Sequence, residues 1–348
     1  MLDDRKIKVL HAIINSYIIG AEPIGSRTIT KEYDIGVSSA TIRNEMSDLE
    51  ELGFLIKPYS SAGRIPSDKA YRFYVNGLLN MKEGKLDLKK KNQIKDILAS
   101  ESREIDALLK NSAKILSTLT SYTALAISPQ LKNLTIKHIQ IIPIDKLQIL
   151  LVIVSNTGVV KNSIIRLEEE IPENQLEILS NFLNTNLKGS SLKDINSDVS
   201  KEIFKEIYEL KDIIENIIPI ISDTLEDISD IDLYSDGINK ILNFPEYRDL
   251  EKAKSFMNFL EDKDAIVDIL LGNSISADKG IEIVIGEENI YDPIKDCSLI
   301  TATYRLGNKT IGKIGVIGPT RMDYIQVISN LKLFSKNISE LIDFLIKS

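Results

Sequence analysis

The pattern of hydrophobic and polar positions in residues 1–80 predicts three helices followed by a short hairpin. The first helix, from about Asp4 to Ile18, carries its apolar residues on one side. A short helix at residues 26–33 and a turn at residues 34–37 lead into the third helix. Two brief β runs around a small-residue tip follow, at residues 55–65. This order is typical of a winged helix-turn-helix, a module that places its second motif helix in the major groove of DNA.

Residues 38–53 carry the clearest helix signal in this segment. Ser38 is placed to accept a hydrogen bond from a free N–H of the first turn. Gly53 is expected to end the helix in a left-handed conformation. An apolar stripe runs along one side at spacings of four, three and three: Ile42, Met46, Leu49 and Leu52. Taken alone, such a helix could equally have an ordinary solvated outer face.

The outer face of this helix and its flanks supply candidate DNA contacts. The face opposite the apolar stripe carries side chains suited to base edges and thymine methyl groups. Arg27 and Lys31 stand where a supporting helix would cross the phosphate backbone, and Arg64 would hold phosphate from the hairpin or enter the minor groove. The expected DNA-binding residues are Arg27, Lys31, Ser38, Ser39, Ala40, Thr41, Arg43, Asn44, Ser47, Ser60, Ser61 and Arg64.

The charge distribution refines this expectation. The chain of 348 residues has a net charge of -8, yet residues 1–80 hold ten Lys+Arg and ten Asp+Glu, so the rest carries the whole excess. The acidic residues Asp3, Asp4, Glu50 and Glu51 are expected to lie apart from the basic ones. An acidic body repels phosphate and disfavours indiscriminate binding. The predicted footprint on DNA is therefore small, and tight binding requires more than one copy of the chain.

The remaining pattern predicts an α+β multidomain chain. Residues 81–91 are polar and charged and are expected to form a linker or a solvated helix start, and a long amphipathic helix is expected from about Asn92 to Thr120. β-rich runs at residues 134–167 and again at 280–318 enclose helical sequence from Pro172 to about Ile228, and a last helix ends near Ile346. The expected domains are 1–80, a body made of 92–167 and 231–348, and an inserted segment at 168–230.

The inserted segment has an isoleucine-rich stripe close to heptad spacing. Its candidate dimerisation residues are Ile203, Ile207, Leu210, Ile214, Ile217 and Ile221. Pro219 removes one helical hydrogen bond and predicts a kink or a break there. The stripe fits either self-association or packing inside the segment.

The sequence offers little for catalysis or metal binding. His11 and His138 are the two histidines, and neither has a Ser or Cys arrangement suggesting a triad. The acidic run at residues 223–236 fails the calcium-loop pattern, since Tyr234 stands where a ligand belongs. The lone Cys297 excludes an internal disulfide and is expected to be a buried thiol. We expect no catalytic residue, metal or cofactor. With no membrane-spanning run or secretory signal, a cytoplasmic location is expected.

Two longer motifs resemble signatures of the HrcA family of heat-inducible transcription repressors. They are SSAGRIPSDKAYRFYVNGLL at residues 60–79 and IGKIGVIGPTRMDYIQVISNL at residues 311–331. The chain departs from the family pattern at Tyr59-Ser60, where His-Thr is more frequent, at Ser67 (Thr) and at Ala70 (Gly). The resemblance implies a GAF-like body interrupted by a dimerisation segment. It also implies an inverted-repeat operator called CIRCE ahead of chaperone operons, and the chaperonin GroEL as a partner that supports activity.

The sequence therefore favours a homodimeric, sequence-specific repressor bound to double-stranded DNA. Two other classes stay open: a regulator that senses a small effector through the GAF-like domain, and an enzyme with a DNA-binding appendage. Saturable stabilisation by a metabolite would support the first of these, and detectable turnover the second.

Overall fold

A computed structural model describes residues 2–60, 62–80, 88–101, 104–129, 135–156, 159–195, 217–224, 231–271 and 280–347. The fold is mixed α+β, as expected. Among the described residues, no helix combines the length and the apolar composition needed to cross a membrane.

The N-terminal part contains four helices and a two-stranded antiparallel hairpin. Its elements are α1 (Asp4–Gly20), α2 (Ser26–Glu32), α3 (Ser39–Glu51), β1 (Leu55–Ile56), β2 (Ile65–Pro66) and α4 (Asp68–Asn80). The Ser38 hydroxyl accepts a hydrogen bond from the Thr41 N–H at 3.2 Å, and Gly53 follows α3 with φ of +76°. The predicted start and stop of α3 are both confirmed.

The rest of the chain alternates between helices and strands. Its elements are α5 (Leu88–Glu101), α6 (Ile105–Thr120), β3 (Thr123–Ile127), β4 (Ile136–Asp145), β5 (Gln148–Ser155), β6 (Val160–Arg166), α7 (Glu173–Leu187), α8 (Leu192–Ile195), β7 (Leu233–Asp236), α9 (Leu250–Glu261), α10 (Lys263–Leu271), β8 (Ile281–Ile285), β9 (Cys297–Leu306), β10 (Lys309–Pro319) and α11 (Tyr324–Lys347). Residues 217–224 are helical as well.

The body is built on a five-stranded antiparallel sheet in the order β7-β3-β10-β9-β8. One face packs against α5, α6 and α11, and the other against α9 and α10. Helices on both faces explain why β3 is buried at every position and why β10 is buried from Ile311 to Pro319. Cys297 lies in this core 2.9 Å from the Tyr247 hydroxyl, and burial raises the pKa of its thiol to about 12. The expected buried thiol is confirmed.

A separate three-stranded sheet, β4-β5-β6, precedes the expected domain boundary at residue 168. These strands share a core with α7 and with the helical residues 217–224, and we call this group of elements the inserted unit. The position of the domain boundary itself stays a prediction. Burial alternates strictly along β5, as in a sheet covered on one face only. The sequence predicted β-strands here but could not say which sheet they join, because strand period carries no information on pairing partners.

The single helix expected at residues 92–120 is wrong, since the structure has two helices that contact each other, α5 and α6. Leu98 and Ile105 lie on either side of the break and are both buried. Their spacing of seven also suits a continuous helix, which is why the pattern hid the break. Residues 88–91 of the expected linker belong to α5, and residues 81–87 lie outside the described part of the chain.

The N-terminal part is docked on the body rather than merely tethered to it. One hydrophobic cluster runs from α1 and α4 into α6, α11 and the sheet. Arg72 in α4 donates to Glu288 at 2.7 Å and to the Ile283 carbonyl at 2.8 Å. From the other motif, Arg321 donates to the Ile18 carbonyl at the end of α1 at 2.9 Å. Tyr71 of the first sequence motif lies with its ring centroid 5.8 Å from that of Tyr324 in the second, so the two motifs meet at this joint.

Candidate nucleic-acid interface

The outer face of α3 is free of the protein body. Ala40, Arg43, Asn44 and Ser47 are all exposed, while Ile42, Met46 and Leu49 on the opposite side are buried. Leu52, expected to complete the apolar stripe, is instead about half exposed, because α3 ends at Glu51 and Leu52 lies in the turn that follows.

Acidic residues of α3 are held by α1. Lys6 lies 2.9 Å from a carboxylate oxygen of Glu45 and 3.1 Å from Asp48, and Arg5 lies 3.3 Å from Glu45. The hydrogen bonds from Lys6 to Glu45 and Asp48 raise the pKa of Lys6. Glu45 is buried, since it falls between Ile42 and Leu49 on the inner face. Sequence reasoning missed this role of Glu45, although its spacing from those two residues already placed it there.

The helix before the turn supplies two exposed cations. Arg27 and Lys31 both project from α2 into solvent, as a phosphate contact requires. Gly25 occupies the N-cap position of α2, and Ser26 is the first residue of the helix. The Ser26 hydroxyl lies 3.0 Å from that of Ser39 and joins α2 to the start of α3.

The other residues at the start of α3 that are predicted to contact DNA make hydrogen bonds within the protein. Ser39 is half-buried against Ser26, and the Thr41 hydroxyl lies 3.0 Å from that of Ser38. Both hydroxyls thus help to hold the helix start in place. Direct contacts of Ser38, Ser39 and Thr41 with DNA stay predictions.

The hairpin projects Lys57, Tyr59 and Ser60 into solvent, whereas Ser61 lies outside the described residues. Arg64 is paired with Glu50 of α3: its Nε lies 2.7 Å and its Nη2 2.6 Å from the same carboxylate oxygen. The expectation that Glu50 lies apart from the cations is therefore wrong. Residues 14 positions apart come together here because β2 folds back beside the end of α3.

The hairpin is anchored by a close backbone approach at Gly63. Ile24 and Arg64 exchange two backbone hydrogen bonds of 2.9 Å, and a Cβ built on Gly63 would lie 2.4 Å from the Ile24 carbonyl oxygen. We expect Gly63→Ala to destabilise the protein by about 1–3 kcal/mol, because backbone atoms must move apart. Urea unfolding would measure this, with Gly20→Ala as the matched control, since nothing lies within 4 Å of a Cβ there. Equal stability of the two variants would contradict the argument.

Most of the predicted dimerisation stripe lies outside the described part of the chain. Ile203, Ile207, Leu210 and Ile214 lie outside the described residues. Ile217 and Ile221 are fully buried, in the same cluster as Leu179 and Leu183 of α7. These two side chains therefore pack inside the inserted unit. Self-association through the other residues of the stripe stays a prediction.

The chain is similar to known proteins over nearly its whole length. A family model described as the HrcA protein C terminal domain matches residues 106–328. A protein of Alkaliphilus metalliredigens is 43% identical over 98% of both chains, and one of Ruminiclostridium cellulolyticum is 43% identical over 98% of this chain and 97% of that one. Both are named heat-inducible transcription repressor HrcA. A crystal structure of a hypothetical protein shares the fold, with a TM-score of 0.71 and 22% identity over 99% of this chain and 100% of that one.

The family model and these relatives define the class of protein: it is a transcription repressor, not an enzyme. More particularly, the chain belongs to the HrcA family.

Proposed function

We propose that the N-terminal part works as a winged helix-turn-helix in which α3 enters the major groove of the operator. The observation that carries this proposal is the exposed face of α3, where Arg43 and Asn44 stand free while the inner face is buried and tied to α1. An Arg suits guanine and an Asn suits adenine in the major groove. Arg27 and Lys31 on α2 contact phosphate, and Ser60 contacts the backbone from the hairpin.

We further propose that the repressor acts as a homodimer on an inverted repeat and blocks transcription by occupying it. The N-terminal part has no net positive charge, so one copy gains little from phosphate attraction. Two half-site contacts joined in one molecule raise the affinity through effective concentration. The inserted unit, which has a core of its own, holds the two copies together in this proposal.

Family membership adds three finer proposals: the body is GAF-like, the operator is an inverted repeat of the CIRCE type ahead of chaperone operons, and GroEL supports the activity. These rest on the family alone.

A gel-shift experiment tests the proposed function. The protein is titrated against an intact inverted repeat, a half-site and a scrambled duplex of equal length and composition. We expect one discrete complex with the intact repeat, with affinity at least about 10³-fold above that for scrambled DNA. Equal binding to intact and scrambled duplexes would refute sequence-specific repression. A second titration with GroEL present should raise the active fraction of repressor, and no change would refute the chaperonin proposal alone.

A further inference from the structure

Glu50 lies on the DNA-facing side of α3. Arg43, Ser47 and Glu50 follow one another at spacings of four and three, which places them on one helix face. Arg43 and Ser47 are exposed, and the Glu50 side chain keeps 33% of its accessible surface. A carboxylate at this place would repel the phosphates of a duplex lying against α3.

The same carboxylate forms an ion pair with Arg64. Two guanidinium nitrogens approach one Glu50 oxygen at 2.6 and 2.7 Å, and the Arg64 side chain keeps only 19% of its accessible surface. The backbone of Arg64 is fixed as well, through its two hydrogen bonds with Ile24. An arginine held in this way is one of the ten cations in residues 1–80, yet it adds little to the attraction for phosphate.

We propose that Glu50 keeps Arg64 away from DNA phosphate and thereby limits the sequence-independent affinity of the protein for DNA. Glu50 then lowers the sequence-independent part of the affinity for DNA and makes no base contact. Each phosphate neutralised by a cation contributes about 0.9 to the slope of log affinity against log salt concentration. Holding Arg64 in an internal pair removes one such contribution from every duplex, matched or not. Arg43 and Asn44, which distinguish bases, then account for a larger share of the total affinity.

Removing the Glu50 charge tests this inference. We expect Glu50→Gln to raise the affinity for scrambled DNA and to steepen the salt slope by about 0.9, because Arg64 becomes available to one phosphate. The gain should accordingly shrink about threefold as salt rises from about 50 to about 200 mM. The matched control is Glu51→Gln, which removes the same charge from the exposed neighbouring position on α3. Glu51→Gln should leave the salt slope within a few tenths of the original.

A second pair of variants isolates Arg64. In the Glu50→Gln background, Arg64→Ala should abolish the gain in both affinity and slope. In the original background, Arg64→Ala should weaken binding, because Glu50 is left unpaired, while the slope changes by much less than one. The inference is overturned if Glu50→Gln behaves like Glu51→Gln, or if its gain survives the loss of Arg64. Circular dichroism on all variants checks that the total helix content is unchanged.

This inference rests on the proposed DNA interface, and the two can fail separately. Arg43→Ala measured beside these variants tells them apart. If Arg43→Ala leaves operator binding unchanged, α3 does not face DNA and the proposed interface is wrong. If Arg43→Ala reduces operator binding while Glu50→Gln changes nothing, the interface stands and the role of Glu50 is wrong.

Discussion

Ile214→Asp should abolish operator binding at concentrations where the original protein is fully bound. The change places a charge in the middle of the isoleucine-rich stripe, where an unpaired buried charge costs several kcal/mol. Separated chains lose the effective-concentration advantage of two linked half-site readers, so affinity should fall by about 10²- to 10⁴-fold. Sedimentation velocity measures the dissociation, and anisotropy with a labelled intact repeat measures the affinity.

The control for Ile214→Asp is Asn181→Asp, which adds the same charge to an exposed position of α7 in the inserted unit. It should leave both the dimer and operator binding unchanged. Ile217 and Ile221 are unsuitable for this purpose, because they are buried in the core of the unit and a charge there would unfold it. A helical Ile214→Asp variant that still sediments as a dimer would contradict the proposal and assign the twofold contact to another surface.

Arg43→Ala and Asn44→Ala should each reduce specific operator binding by about 1–3 kcal/mol, about fivefold to about 150-fold. Both side chains project from the exposed face of α3, so the fold and the melting temperature should not change. Binding to scrambled DNA should fall less, because base contacts contribute little there. Competition anisotropy with intact and scrambled duplexes measures the discrimination directly.

Two exposed residues outside this face serve as controls: Lys8→Ala in α1 for the loss of a cation, and Asn76→Ala in α4 for the loss of an amide. Neither should alter the discrimination between operator and scrambled DNA. If Arg43→Ala and Asn44→Ala discriminate as well as the original protein, the base-reading assignment of α3 is refuted.

The local features of α3 could be predicted from the sequence, because capping and periodicity act within a few residues. Ser38, Gly53 and the buried positions Ile42, Met46 and Leu49 all occupy the expected places. The exposed face that carries Arg43 follows from the same periodicity. What such patterns could not supply is the contact with DNA itself, which remains a prediction.

Contacts between distant parts of the chain could not be predicted from the sequence. The pairing of Arg64 with Glu50 depends on how the hairpin folds back, and Arg72 meets Glu288 only after the body has formed around β8. Likewise, the β period predicted strands within residues 134–167, but only the folded chain separates their sheet from that of the body. In each case the missing information is the choice of partner, which neither capping nor periodicity encodes.

Hydroxyl-radical footprinting on an intact inverted repeat tests the central claim most directly, because it shows which part of the operator the protein covers and whether one or both half-sites are protected. We expect two protected half-sites related by the twofold axis of the repeat. At the lowest concentration that fully protects the operator with the original protein, both should be weakened or lost together in Arg43→Ala and both retained in Lys8→Ala. Protection of a single half-site, or an unchanged footprint in Arg43→Ala, would contradict a dimeric repressor that reads its operator through α3.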